Sequence, residues 1–544
     1  MQAVRKWLSD KSSKSVIYLL IGGLLFRVII AVWLYPGFDE AYYYLYTLHP
    51  DLSYFDHPPL VALTTGFGPW LTHEVSQFTI RLGSLILHTG ALVLLYLTGV
   101  RLFSTAAATF TLAIATFIPI FLVAFGVLTL PDNPLIFFWT ASLYYAAIEF
   151  FPKTQKSASA SRKYYPSYRL AILGLLIGLA CLGKYHGFIL GLGILGFCLT
   201  SRYRSALISP WALLGFGLFL LAISPIIIWN IQHDWVSFRF QSERGIPKDE
   251  YNFINLFTTF LVSVAYLFPT LGLPLWWVSL KAGLAQIIQP FRKKSLKFDE
   301  NLRQKQLLIL WASLPLIIGF TWLGGYHQIL PTWAMPGFWG ATLLLGQQVS
   351  IWQKTHPRYV QRWLRVSAIA LSSLLLFALL HMAAGTLQKP SNYTLFGGFV
   401  SPQDDPSTQL FDIKQLRRGF ASSPILNSAL QNASFVFTNR YYLGGQIGMA
   451  LAPISKTPIT TFDKDIRGFA FWSKADQWLG KDALYITSNR FAHKKKLMND
   501  YRSYFKTIEN IGSIPIERGK VVIEVIQVYQ AKTLLKPYPR PYGV

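Results

Sequence analysis

Through its first 385 residues the chain reads as long apolar runs separated by short polar clusters, with no strict alternation and no face reserved for water. A helix rises 1.5 Å per residue, so about 20 apolar residues cross a hydrocarbon core ~30 Å thick. Eleven runs approach that length, at approximately 16–35, 80–100, 106–128, 134–151, 168–183, 187–201, 208–230, 255–280, 307–324, 331–349 and 364–385. The stretch 170–200 is apolar except for Lys184, Tyr185 and His186, and basic clusters flank it on both sides. It is therefore expected to cross twice, with Gly183–Gly187 as a hairpin tip. Each arm has about 14 strictly apolar residues, near 21 Å, which places the tip below the membrane surface in a protein-lined hollow.

Loop charges set the expected orientation. Alternate loops collect 23 Lys and Arg, whereas the opposite loops hold only Arg81, Lys184, Arg239, Arg244 and Lys248 beside about ten carboxylates. Cytoplasmic loops carry the excess of Lys and Arg, so the N-terminus is expected in the cytoplasm and the segment after residue 385 outside a plasma membrane. The first run follows a basic segment, but no small-x-small pattern follows it, and it reads as a retained anchor.

After residue 385 the chain turns polar and turn-rich, then shows short apolar runs at Ser434–Thr438, Ala483–Thr487 and Lys520–Tyr529 with the β-branched and aromatic content of strands. Tyr442–Leu451 reads as a helix. The expected fold class is a membrane α-helical domain of about 11 transmembrane helices over 1–385 and an extracytoplasmic α/β domain over 386–544. Composition supports the bilayer: 52% of residues are hydrophobic and 14% charged, where a soluble domain carries roughly a quarter. The net charge of +25 is spread over loops between spans rather than gathered on a soluble domain, which argues against nucleic acid. Cys181 and Cys198 both lie in apolar stretches, which speaks against a disulfide framework.

The chemistry concentrates on the cation-poor loops. Pro36-Gly37-Phe38-Asp39-Glu40-Ala41-Tyr42-Tyr43-Tyr44 sets two carboxylates within a turn of a membrane helix end. Ionisable groups at that depth are costly unless paired or functional, and a partly desolvated carboxylate suits a general base. Equally, Asp39 or Glu40 caps the following helix. Tyr54-Phe55-Asp56-His57-Pro58-Pro59 is either a positioning loop or a rigid turn. Asp132, in Leu130-Pro131-Asp132-Asn133-Pro134, aims a carboxylate at the same hollow or starts a helix. Lys184 lacks an acid beside it in sequence and wants an anion such as a lipid phosphate, or snorkels. Arg239 and Arg244 are guanidinium groups shaped for phosphate, or partners of Glu243 and Asp249. Tyr326 and His327 precede Pro331-Thr332-Trp333 and either bind a phosphate or sugar or belong to an interfacial aromatic belt. Arg27 stands inside the first run, to neutralise an acid or to snorkel. No Walker A loop, GxGxxG, HExxH or CxxC pair is present.

The Asp39-Glu40-Ala41-Tyr42-Tyr43 element, the Tyr54-Phe55-Asp56-His57-Pro58-Pro59-Leu60 loop and Trp333-Ala334-Met335-Pro336-Gly337 resemble bacterial membrane glycosyltransferases of the GT-C type, families 39 and 83. These include protein O-mannosyltransferases and lipid A aminoarabinose transferases. The resemblance covers most of the chain, with family-like phrases at Phe435–Tyr441 and Gly480–Tyr485. It implies a polyprenyl-phosphate sugar donor, inverting transfer on the extracytoplasmic face to a lipid, protein or glycan, and no cofactor or metal. Asp39, Glu40 and Asp132 are the implied catalytic acids, and Lys184, Arg239, Arg244, Tyr326 and His327 the donor-phosphate side. Tyr54, Asp56 and His57 are implied to position the loop, and a monomer is expected. His49, Asp51 and the YFDHPP phrase after the first helix of the loop set it apart from the aminoarabinose transferases. Two other classes remain: a flippase, for which paired broken helices in inverted repeats are expected and not seen, and a catalytically silent glycan-binding scaffold.

Overall fold

The structure is a computed structural model that describes residues 11–152, 164–247, 249–288 and 299–543. Several basic residues used to orient the chain (Arg5, Lys6, Lys153, Lys156, Arg162, Lys163, Lys248, Arg292, Lys293, Lys294 and Lys297) lie outside these. Among the described residues six helices are long and apolar enough to cross a membrane: Lys14–Trp33, Thr79–Leu102, Pro210–Gln232, Pro269–Ile288, Glu300–Leu323 and Pro357–Ala384. Shorter apolar helices at Thr105–Phe117, Arg169–Gly183, Gly187–Thr200 and Phe253–Tyr266 pack with them, as do Asp132–Phe150 and Met335–Thr355. The protein is a multi-pass membrane protein.

Two expected runs are not single helices, and proline explains both. The helix expected over 106–128 stops at Phe117, because Ile118 precedes Pro119 and takes an extended ψ of 122°; a π turn, Phe121–Phe125, follows. The run 255–280 breaks before Pro269, where Phe268 adopts a left-handed φ of 68°. Among the described residues the run 255–280 is thus two helices, Phe253–Tyr266 and Pro269–Ile288. The broken pair still makes one net passage: Asn252, at its start, donates to Gly325 at the end of helix Glu300–Leu323, and Gln286, near its finish, donates to Arg303 at that helix's start. The expected hairpin is present as helices Arg169–Gly183 and Gly187–Thr200 around Lys184–His186.

Helix Pro357–Ala384 ends at Gly385 in the left-handed region (φ 72°), at the expected domain boundary. Beyond it stands a five-stranded sheet of order β2-β1-β3-β5-β4: β1 (Phe435–Thr438) parallel to β2 (Ile459–Thr461) and β3 (Ala483–Ser488), then β5 (Val521–Leu534) antiparallel to β3 and to β4 (Phe505–Arg518). β2 and β4 were not legible in the sequence: β2 has three residues, and β4 is interrupted by Gly512 and Pro515 with a register shift at Asn510/Gly512.

The sheet domain is seated on the bundle chiefly by helix Tyr441–Leu451 packed against the loop helix Phe38–Tyr46. Gly445 permits it, since a Cβ there would stand 2.6 Å from the Tyr42 amide nitrogen. One apolar core runs through both domains, from Tyr42, Tyr46 and Val61 to Ile447, Phe469 and Ile526. Gly445→Val is therefore expected to cost about 1–3 kcal/mol by overpacking. It should lower the thermal unfolding midpoint in detergent, whereas Gly217→Ala, at a position with open space around it, should leave the midpoint unmoved.

Candidate active site

The first loop's two acids have different surroundings. Glu40 is 1% exposed, and Arg81, 0% exposed, binds it bidentately at 2.8 and 2.7 Å. The amides of Gly37 and Thr129 also donate to the Glu40 carboxylate at 2.8 and 2.9 Å. Arg81 spends its remaining donors on the carbonyls of Ala31, Leu34 and Tyr35. Glu40 is saturated and does not line the cavity, so the expected catalytic role is replaced by a structural one.

Asp39, one residue earlier on the helix, points the other way. It lines a cavity of about 540 Å³ with Tyr43, His57, Asp132, Lys184, His186, Gln241, Arg244, Trp333, Tyr441 and Arg467. Burial raises its pKa above the ordinary carboxylate range, reinforced by Asp56 and opposed by Arg467 and Arg244. Tyr441 donates to it at 3.5 Å. The Arg467 guanidinium lies 3.6 Å from the Tyr441 ring centroid and is held by Asp56 at 3.3 Å and Asp465 at 3.2 Å. Asp56 is buried and also accepts from the hydroxyls of Tyr42 and Tyr46, so it anchors Arg467 and does not face the cavity.

In the lining of the same cavity, both oxygens of Asp132 accept from Lys184 at 2.9 Å, with both residues buried. The lysine thus has an acid partner that its sequence neighbours did not reveal; its pairing is brought about by packing of the hairpin tip against the start of helix Asp132–Phe150. Arg244 lies over Trp333 at 5.1 Å and Phe240 at 5.4 Å, which leaves its edges to the cavity. Burial and the charges of Lys184, Arg467 and Arg244 depress the His57 pKa far below its ordinary value, so its imidazole is neutral.

Four further expected site residues lie elsewhere. Arg239 is exposed on helix Val236–Gly245 and does not line the cavity. Tyr54 is buried, stacked on Tyr46 at 3.9 Å and donating to its carbonyl. Tyr326 and His327 line a second cavity of about 530 Å³ between helices Phe253–Tyr266 and Glu300–Leu323, with Asn255, Thr259 and Thr321. His327 reaches the first site only by bonding the Arg244 carbonyl at 3.2 Å. Conversely, Tyr441 and Arg467 come from the sheet domain: Tyr441 ends the family-like phrase Phe435–Tyr441, which carried no expected site role, and Arg467 lies in no motif. Among the described residues no group of three His, Cys, Asp or Glu side chains gathers to hold a metal.

Residues 56–229 match the family of dolichyl-phosphate-mannose-protein mannosyltransferases. No curated protein sequence matches the chain. Among solved structures, ArnT from Cupriavidus metallidurans in the apo state superposes with a TM-score of 0.61 at 12% identity, over 95% of this chain and 98% of that one. The same protein bound to undecaprenyl phosphate gives 0.56 at 14% identity, over 94% and 97%. The chain therefore has the ArnT fold, membrane bundle and sheet domain together. The family match, in the segment that carries Asp56, Asp132 and Lys184, points the same way, to a membrane glycosyltransferase.

The differing roles of the adjacent acids are testable by stability. Removing one partner of a buried ion pair leaves the other charge unpaired and costs about 3–5 kcal/mol. Glu40→Gln and Arg81→Met should each lower the unfolding midpoint and the yield of folded protein, while Asp39→Asn should leave both near wild type.

Proposed function

We propose that the protein is an inverting transferase that moves a monosaccharide from a polyprenyl phosphate to a hydroxyl or amine of a lipid, protein or glycan, with Asp39 as general base. The observation that carries this reading is the set of groups that share one cavity: Asp39, a carboxylate of raised pKa, with the cations Lys184 and Arg244. An inverting displacement needs both kinds of group, because a proton leaves the attacking group as negative charge grows on the departing phosphate oxygen. In the proposed step the acceptor heteroatom attacks the anomeric carbon from the side opposite the phosphate, and its proton passes to Asp39. The bond from the anomeric carbon to the phosphate oxygen breaks with its electron pair, and polyprenyl phosphate departs unprotonated.

Lys184 and Arg244 receive that charge, with Asp132 holding the ammonium in place through two 2.9 Å contacts. The neutral His57 adds no cation beside the base. The cavity volume suits a sugar phosphate, within the few hundred Å³ usual for such sites. Cationic side chains take the part that a divalent metal plays in other transferases, and no cofactor enters the scheme. ArnT in one of its solved structures holds undecaprenyl phosphate, which supports the donor class. The charge asymmetry of the loops supports a cytoplasmic N-terminus and an extracytoplasmic sheet domain on the plasma membrane, and the chain is proposed to act as a monomer.

Asp39→Asn should lower turnover by about 10²–10⁴-fold, the usual worth of a general base, with donor binding retained. Release of polyprenyl phosphate from a supplied polyprenyl-phosphate sugar, followed by mass spectrometry in isolated membranes, measures this. Arg244→Met should raise the donor KM more than it lowers kcat/KM for the acceptor. Because Asp39 acts as a base and its pKa is raised, turnover should fall as pH drops through a value above the ordinary carboxylate pKa of about 4. A flat profile down to pH 4 would contradict the assignment.

A further inference from the structure

The segment between the last membrane helix and the sheet domain has a surface that the transfer reaction does not use. From Pro390 to Gln403 the chain carries no Asp, Glu, Lys or Arg. Within it Tyr393, Leu395, Phe396 and Phe399 are 53, 42, 90 and 69% exposed. Phe396, Gly397 and Gly398 all adopt left-handed φ (53°, 79° and 75°), which folds the loop into a tight tip that presents the two phenylalanines outward.

Its position is fixed by hydrogen bonds to the helix exit. Leu395 donates to the Thr386 carbonyl and Phe399 to that of Leu387, each at 2.8 Å, and Lys389 donates to Val400 at 2.8 Å. Thr386 and Leu387 are the second and third residues past the end of Pro357–Ala384, a helix of mean hydropathy 2.1 that is only 17% buried and so faces lipid. The loop is therefore tied to the plane where that helix leaves the bilayer. The same plane holds the end of the first span, since Leu34 packs in one cluster with Leu379 and Met382. Trp33, 47% exposed, stands there, and Trp70 lies on the helix Leu60–Thr72 whose neighbour Gln77 donates to Val32. Exposed aromatics at such a plane form the belt that anchors a protein at the lipid headgroups.

We propose that the loop Ser391–Val400 inserts Phe396 and Phe399 into the headgroup region of the membrane. The occupant of this apolar surface is the lipid bilayer itself, continuous with the one around the helices. An uncharged, aromatic loop gains by leaving water there, whereas in water four large apolar side chains would stay exposed on a single tip. The inserted loop pins the sheet domain to the bilayer at its root. Asn392 donates to Gly519 in the β4–β5 turn, and Arg518 of that turn bonds Gln388 at 3.0 Å and Asp405.

The test uses the full-length protein with Cys181 and Cys198 replaced by Ala, reconstituted in phosphatidylethanolamine–phosphatidylglycerol vesicles and labelled with an environment-sensitive fluorophore at Phe396→Cys. A control label is placed at Lys496→Cys, on the helix Lys495–Arg502 that covers the sheet face away from the bundle. Nitroxide-bearing lipids should quench the label at 396 at least twofold more than the label at 496, and aqueous iodide should do the reverse. Iodide quenching of both labels alike would overturn the proposal, as would protection of 396 from both quenchers, which would mean that protein covers the loop. If Phe396→Cys fails to fold, Phe399→Cys gives the same comparison.

Discussion

The buried Arg81–Glu40 pair organises the catalytic end of this protein. All five guanidinium N–H groups are used: two on the Glu40 carboxylate and the rest on the carbonyls of Ala31, Leu34 and Tyr35. The carboxylate in turn takes the amides of Gly37 and Thr129. One ion pair therefore ties the end of the first span, the loop helix Phe38–Tyr46 and the segment that leads to Asp132. A buried pair is tolerable only when its remaining hydrogen-bonding capacity is filled, and here it is. Its mechanical effect is to fix Asp39 and Asp132 relative to one another, since each lies within three residues of a group bonded to Glu40.

The site is then completed from the other domain. Tyr441 and Arg467 stand in the sheet domain, yet both line the cavity, because Gly445 lets helix Tyr441–Leu451 close against Tyr42. Arg467 is itself held by Asp56 from the first loop, so the carboxylate of the YFDHPP phrase is an anchor between domains and does not face the cavity. A membrane bundle and an α/β domain that read as separate units in sequence share one core and one cavity.

This explains what was legible in the sequence. The apolar runs located the bundle helices because length and hydropathy are local properties, and helix Pro357–Ala384 ends where the composition changes. The helix breaks at Pro119 and Pro269 were missed because hydropathy alone is blind to proline, which keeps the residue before it out of the helical conformation: Ile118 is extended and Phe268 left-handed. Asp39 and Asp132 were singled out as acids, Lys184 and Arg244 as cations suited to a phosphate and His57 as part of a positioning loop or rigid turn, and the structure gathers all five around one cavity. Which charges are spent on each other was not legible. Asp39 and Glu40 are neighbours with opposite surroundings, and Lys184 meets Asp132 from 52 residues away. Tyr441 ends a family-like phrase to which no site role was given, Arg467 sits in ordinary-looking soluble sequence, and the domain contact brings both to the site.

The central claim is that the Asp39 carboxylate, within an intact fold, drives sugar transfer. It is tested most directly by comparing the envelope lipids, glycans and glycoproteins of a deletion strain with those of the same strain complemented by wild type or by Asp39→Asn at matched membrane levels. Mass spectrometry should find one sugar mass increment missing from both the deletion and the Asp39→Asn strain and restored by wild type. Restoration of that increment by Asp39→Asn would contradict the account and move the base, or the reaction itself, elsewhere.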